Sequence, residues 1–93
     1  MTRDAVQDQL ADYIRRTFLD DSSASLDSDT PLLEWGILNS MNTARLLTYI
    51  REELGTTVPP THITGKHLKD LNAITDMVTS LRAEARETET IQD

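Results

Sequence analysis

A serine, Ser40, stands where the run Glu34-Trp35-Gly36-Ile37-Leu38-Asn39 gives way to a helical pattern beginning at Met41. A serine hydroxyl attacks substrate only when a base, itself held by a third group, removes its proton in a site closed to water. The chain has two histidines, His62 and His67, and neither has an obvious orienting carboxylate, although Asp70 follows His67 closely. No second glycine follows the serine, so the segment is not a nucleophile elbow. These residue types argue against a hydrolase. The two histidines lack further ligands at metal-binding spacing, and no metal site is assigned. The absence of cysteine removes a thiolate nucleophile, a disulfide framework and cysteine-bound zinc.

Two uses of Ser40 remain. As a helix cap, its hydroxyl would accept a backbone N–H of the first turn. Asn39 caps at least as well, however, and if Asn39 takes that role Ser40 occupies the first helical position with a free hydroxyl. The unpaired N–H groups and positive end of a helix stabilise anions, phosphate above all. On that reading Ser40 receives a phosphate-linked group from another enzyme.

The elements around it are helical. Thr2 is placed to cap a helix over Arg3 to Phe18, with Val6, Leu10, Tyr13, Ile14 and Phe18 as its apolar stripe. Asp4, Asp8 and Asp12 line another face and read as a solvated stripe. From Asp20 to Asn39 there is neither helical nor strand periodicity, and a connection of about 20 residues in a small domain is usually functional. Leu26, Leu32, Leu33, Trp35, Ile37 and Leu38 are its expected anchors to the core. A second helix spans Met41 to Leu54, with Met41, Ala44, Leu47, Ile50 and Leu54 facing in and Leu46 broadening the stripe. Gly55 ends it, the position where a left-handed residue is favoured. Thr61 would cap a short helix over His62 to Leu68, weakened by Gly65 within it. Asn72 would cap a last helix to about Arg82, and the charged end from Glu84 to Asp93 is expected to fray. The expectation is an all-α fold, a four-helix bundle of three longer helices and one short one, with a long loop between the first and second. Residues 1–83 would form the domain and 84–93 its tail.

Ninety-three residues make one small domain without room for a deep substrate cavity as well as a core. Sixteen acids against nine bases give a net charge of −7, which repels phosphate backbones and excludes nucleic acid as the natural partner. No apolar run reaches the roughly 20 residues of a membrane helix, and the start is not a secretory signal, so the expected location is cytoplasmic.

The stretch Pro31-Leu32-Leu33-Glu34-Trp35-Gly36-Ile37-Leu38-Asn39-Ser40-Met41 resembles the modification loop of acyl and peptidyl carrier proteins, in which a glycine, an aliphatic spacer and Asp-Ser-Leu open the second of four helices. The similarity extends from about Val6 to Leu81, through Val58-Pro59 and Leu68-Lys69-Asp70-Leu71-Asn72-Ala73-Ile74. It implies the acyl-carrier-protein-like bundle and a non-catalytic subunit. It also implies covalent 4′-phosphopantetheine, placed on Ser40 from coenzyme A by a phosphopantetheinyl transferase. Asn39 departs from the family's usual Asp and removes a negative charge beside the future phosphodiester.

Glu34-Trp35-Gly36-Ile37-Leu38-Asn39-Ser40-Met41-Asn42, with Pro60-Thr61-His62-Ile63-Thr64-Gly65-Lys66, is similar to free-standing prolyl carrier proteins of pyrrole-forming antibiotic pathways. That narrower resemblance implies a separate ligase that adenylates L-proline and a flavin-dependent dehydrogenase that oxidises the tethered prolyl group to pyrrolyl. A halogenase or acyltransferase could follow. The alternatives are a carrier of another acyl or aminoacyl cargo, of polyketide, fatty-acid or D-alanyl type, and an unmodified helical interaction module. The expected partner face surrounds Ser40: Ile37, Leu38 and Asn39 before it, Met41, Asn42 and Arg45 after it, and Ile63, Gly65, Lys66 and His67 on the short helix. Met41 is either a soft contact for partners or part of the core. Nothing suggests more than a monomer.

Overall fold

The computed structural model describes the backbone of residues 2–19 and 26–92 and the side chains as far as residue 85. Four α-helices follow one another: α1 (Arg3–Thr17), α2 (Ser40–Glu53), α3 (Gly65–Leu68) and α4 (Leu71–Gln92). A 3₁₀ turn over Pro60–His62 precedes α3, and the described residues contain no strand. This is the expected all-α architecture of three longer helices and one short one.

In α1, Thr2 Oγ1 accepts the Ala5 N–H at 3.1 Å, the cap the sequence points to. Asp4 lies in its first turn and Arg15 and Arg16 in its last, so side-chain charge opposes the helix dipole at both ends. Val6, Leu10, Ala11 and Ile14 are buried, and α1 packs chiefly on α4, whose Leu71, Ile74, Met77 and Val78 belong to the same core. Two departures mark α4. Its cap is Asp70, whose Oδ1 accepts the Ala73 N–H at 2.8 Å. Asn72 sits inside the helix instead: its backbone N–H donates to the Ser28 carbonyl and its side-chain oxygen accepts from Arg3 and Gln7. The helix also continues to Gln92, well past Arg82 where the apolar pattern ends.

The inner face of α2 is set by Leu46 and Ile50, both wholly buried, with Leu54 just beyond the helix end. At 100° per residue, Met41 and Ala44 both fall near the side of the helix opposite that face. Both are exposed, correcting the expectation that they line the core. Gly55 does terminate α2 in the left-handed region, at φ 65°. The Arg82 guanidinium reaches across from α4 and donates to the Leu54 carbonyl at 2.9 Å.

The short-helix segment also differs from its expected form. Thr61 lies in the 3₁₀ turn, with its hydroxyl against the His62 ring, and Gly65 opens α3 rather than interrupting it. Gly65 therefore stands at the start of α3 and not in the helix interior, where the entropic glycine penalty applies. No helix among the described residues is long and apolar enough to cross a membrane.

Candidate functional site

The loop ahead of α2 is fastened by backbone bonds at three points. Leu32 N–H donates to the Lys69 carbonyl at 2.8 Å, Leu38 N–H to the Leu32 carbonyl at 3.0 Å, and Asn72 N–H to the Ser28 carbonyl at 3.0 Å. Leu32 and Leu38 are buried, while Leu26 and Ile37 pack partly against the core. Leu33 and Trp35 do not act as anchors, and Trp35 is 67% exposed. The reason lies in the turn. Trp35 N–H bonds back to Pro31 and Gly36 N–H to Leu33, and the chain reverses with Gly36 at φ 76°, which throws the side chains at its tip outward. Residues 20–25 of this connection lie outside the described residues.

Leu38 therefore belongs to the core and not to an exposed partner face, correcting its expected place. It is 2% exposed because the tie of its N–H to Leu32 turns its side chain inward. The next residue, Asn39, has extended backbone, and its Oδ1 accepts the Asn42 N–H at 2.8 Å. Asn42 Nδ2 in turn donates to the Ile37 carbonyl at 2.9 Å, tying the first turn of α2 to the loop. Asn39 caps the helix, and Ser40 is its first residue. The Ser40 side chain is exposed, and its hydroxyl has no hydrogen-bond partner among the described residues. Of the two uses left open for Ser40, capping is the one the geometry removes.

Around this hydroxyl the first-turn N–H groups not taken by Asn39 face outward, a setting that favours a phosphate ester. An open groove of about 600 Å³ runs from Asn39 and Ser40 between α2 and α3, walled by Leu33, Leu47, Ile63 and Leu68. Of the expected partner residues, Asn39, Met41, Arg45, Ile63, Gly65 and Lys66 are exposed, and Ile37, Asn42 and His67 half-buried. Sequence reasoning missed Thr43, Ala44 and Leu47, which also line the groove. The small or polar residues on the Ser40 side of α2 were the available signal. The His62 and His67 rings stack on each other with centroids 5.0 Å apart. Neither bonds to Ser40 or to Asp70, whose carboxylate is committed to the α4 cap. No group of three or more metal-ligating side chains is found among the described residues.

A small all-helical bundle of this order, with a fastened loop delivering a residue pair to the start of its second helix, is an acyl-carrier-protein-like domain. The sequence matches the family described as "Phosphopantetheine attachment site" over residues 5–78, most of its length. The chain belongs to that family, whose covalent cofactor is 4′-phosphopantetheine. Among solved structures, one described as "Crystal structure of FAD-dependent dehydrogenase" contains a chain 30% identical to this one, with a TM-score of 0.70; the match covers 74% of this chain and 97% of that one. No curated protein matches the chain significantly.

Proposed function

We propose that Ser40 is the residue that bears the 4′-phosphopantetheine arm. The observation that carries this reading is its exposed, unbonded hydroxyl at the first position of α2, left free because Asn39 performs the cap. Asn39, Met41, Arg45, Ile63, Gly65 and Lys66 then form the surface that enzymes meet. The arm ends in a thiol, which supplies a thioester link for cargo. The protein's own part is to hold the attachment point at a fixed place and keep it open. The carrier makes and breaks no bond of the cargo itself. Tethering keeps the activated group at high effective concentration near successive enzymes.

For the cargo, the reading is L-prolyl followed by pyrrolyl, loaded by a separate adenylating ligase and oxidised by a flavin-dependent dehydrogenase in natural-product synthesis. Two observations support it. One is the wording of residues 34–42 and 60–66, similar to prolyl carriers. The other is the solved-structure relative. Because this chain covers 97% of it, that chain is itself of carrier size, although the structure is described by its FAD-dependent dehydrogenase. A chain that small has no core large enough to hold a flavin as well, which favours a carrier accompanying the enzyme.

Incubation with coenzyme A and a broad-specificity transferase should add one phosphopantetheine mass to the wild type and none to Ser40→Ala. A wild type that stays unmodified with several transferases defeats the carrier assignment. Loading of the modified protein across an amino-acid panel should then favour proline. Preference for another acid would overturn the cargo while leaving the carrier intact.

A further inference from the structure

The chain carries two lysines, Lys66 and Lys69, and its other seven basic residues are arginines. Lys66 lies within α3, directly after Gly65, which lines the same groove of about 600 Å³ as Ser40. Gly65 puts no side chain between that wall and its neighbour, so Lys66 stands at the rim. Its side chain is exposed and has no ion-pair or hydrogen-bond partner among the described residues. Lys69 stands one turn further on, past the end of α3, with its carbonyl bonded to the Leu32 N–H at 2.8 Å.

On the other side of α2 the chemistry differs. A second groove, of about 520 Å³, runs between α1 and α2 and is lined by Tyr13, Met41, Arg45, Tyr49, Glu52 and Glu53. The cation on that wall is Arg45, and a guanidinium keeps its proton in proteins and does not act as a nucleophile. An arm swinging from Ser40 thus meets a guanidinium on one side of α2 and a primary amine on the other.

We propose that Lys66 is a self-acylation site: its amine takes the acyl group from the thioester carried on the Ser40 arm of the same molecule. The proposal rests on the carrier reading of Ser40. The neutral Nζ attacks the thioester carbonyl carbon, an amide C–N bond forms and the C–S bond breaks. The electron pair of the broken bond leaves with the sulfur. The amine gives up one proton to solvent, and the departing thiolate takes one up. No oxidant, reductant or further reactant enters. The tether supplies the rate, since a short flexible linker holds the thioester at about millimolar effective concentration before the amine. An aliphatic amine is mostly protonated near neutrality, so the uncatalysed transfer is slow. It consumes cargo that has waited on the arm. The product has its thiol free for reloading and a stable amide on α3.

The test needs no cargo-specific enzyme. A broad-specificity transferase and acetyl coenzyme A place an acetylated arm on the wild type and on Lys66→Arg. Intact mass confirms the arm, and gel filtration removes free thioester. After a hold at mildly alkaline pH, neutral hydroxylamine strips thioester-bound acetyl and leaves amides. The wild type should keep acetyl through this step, mapped by peptide mass to Lys66, in a fraction independent of protein concentration. Lys66→Arg should keep about tenfold less. Ser40→Ala, held with an equal concentration of free acetyl coenzyme A, has the same thioester without the tether and should match Lys66→Arg. Complete loss of acetyl to hydroxylamine, retention at another amine instead, or equal retention in Ser40→Ala overturns the site. A fraction that grows with protein concentration does so too, since it reports transfer between molecules. A wild type that takes no arm overturns the carrier reading and this proposal with it; an arm that is taken but leaves no amide overturns this proposal alone.

Discussion

Asn39 and Asn42 are bonded to each other across the first turn of α2, Oδ1 of the former accepting the N–H of the latter at 2.8 Å, and Asn42 reaches back to Ile37 at 2.9 Å. Ser40 lies between them and takes part in neither bond. Two asparagines thus do the holding that would otherwise claim the serine, and the residue with the reactive group is left in solvent.

Removing the cap should cost stability without touching the hydroxyl. Asn39→Ala should lose about 1 kcal/mol, a fall of about 4–8 °C in Tm for a domain this size. Asn39→Asp should keep the cap and gain a few tenths of a kcal/mol from the positive helix end. Thermal unfolding followed by circular dichroism measures both. An unchanged Tm in Asn39→Ala would mean that Asn39 is not the cap that matters.

Leu38 and Met41 flank Ser40 but face opposite ways, at 2% and 63% exposure. Leu38→Ala should destabilise by about 2–4 kcal/mol through the cavity it leaves. Met41→Ala should stay within about 0.5 kcal/mol of wild type in urea unfolding. Met41→Asp should keep the fold while slowing loading of the arm. A collapsed Met41→Asp would place that residue in the core after all.

The two glycines near the site should respond with opposite sign. Gly36 is at φ 76°, with nothing within 4 Å of an added Cβ, so Gly36→Ala meets backbone strain alone. That strain is about 1–2 kcal/mol. At Gly65 an added Cβ would rest 3.7 Å from the Leu33 side chain, an ordinary contact. Gly65→Ala should therefore be neutral or stabilising by up to about 0.5 kcal/mol. Denaturant midpoints at equal m-value decide between these signs.

Tyr49 ties stability to alkaline pH. Its folded pKa is raised above 10.0, by burial first and by Glu53 second. The folded state thus holds the proton more tightly than the unfolded one. The resulting stability is fully present below 10.0 and is lost as pH rises through the folded pKa. Unfolding measured between neutral pH and the alkaline limb should show this loss, and Tyr49→Phe should reduce its slope. An identical slope in the variant would assign the loss to other groups.

The helices, their order, the Thr2 cap and the left-handed Gly55 were legible in the sequence because each depends on neighbours a few residues away. So was the choice posed at Asn39 and Ser40, since two capping residues in a row leave one of them spare. Three-dimensional packing decided the rest. Asp70 took the α4 cap because the Asn72 N–H is drawn to Ser28 and its side chain to Arg3 and Gln7, all distant in sequence. Leu32 and Leu38 became the loop's anchors, and Leu33 and Trp35 did not, because bonds to Lys69 and within the turn choose which side chains point inward. An irregular segment has no period by which to sort its apolar residues. The two grooves beside α2 are likewise properties of facing elements, so residue types alone did not separate Met41 and Ala44 from the core.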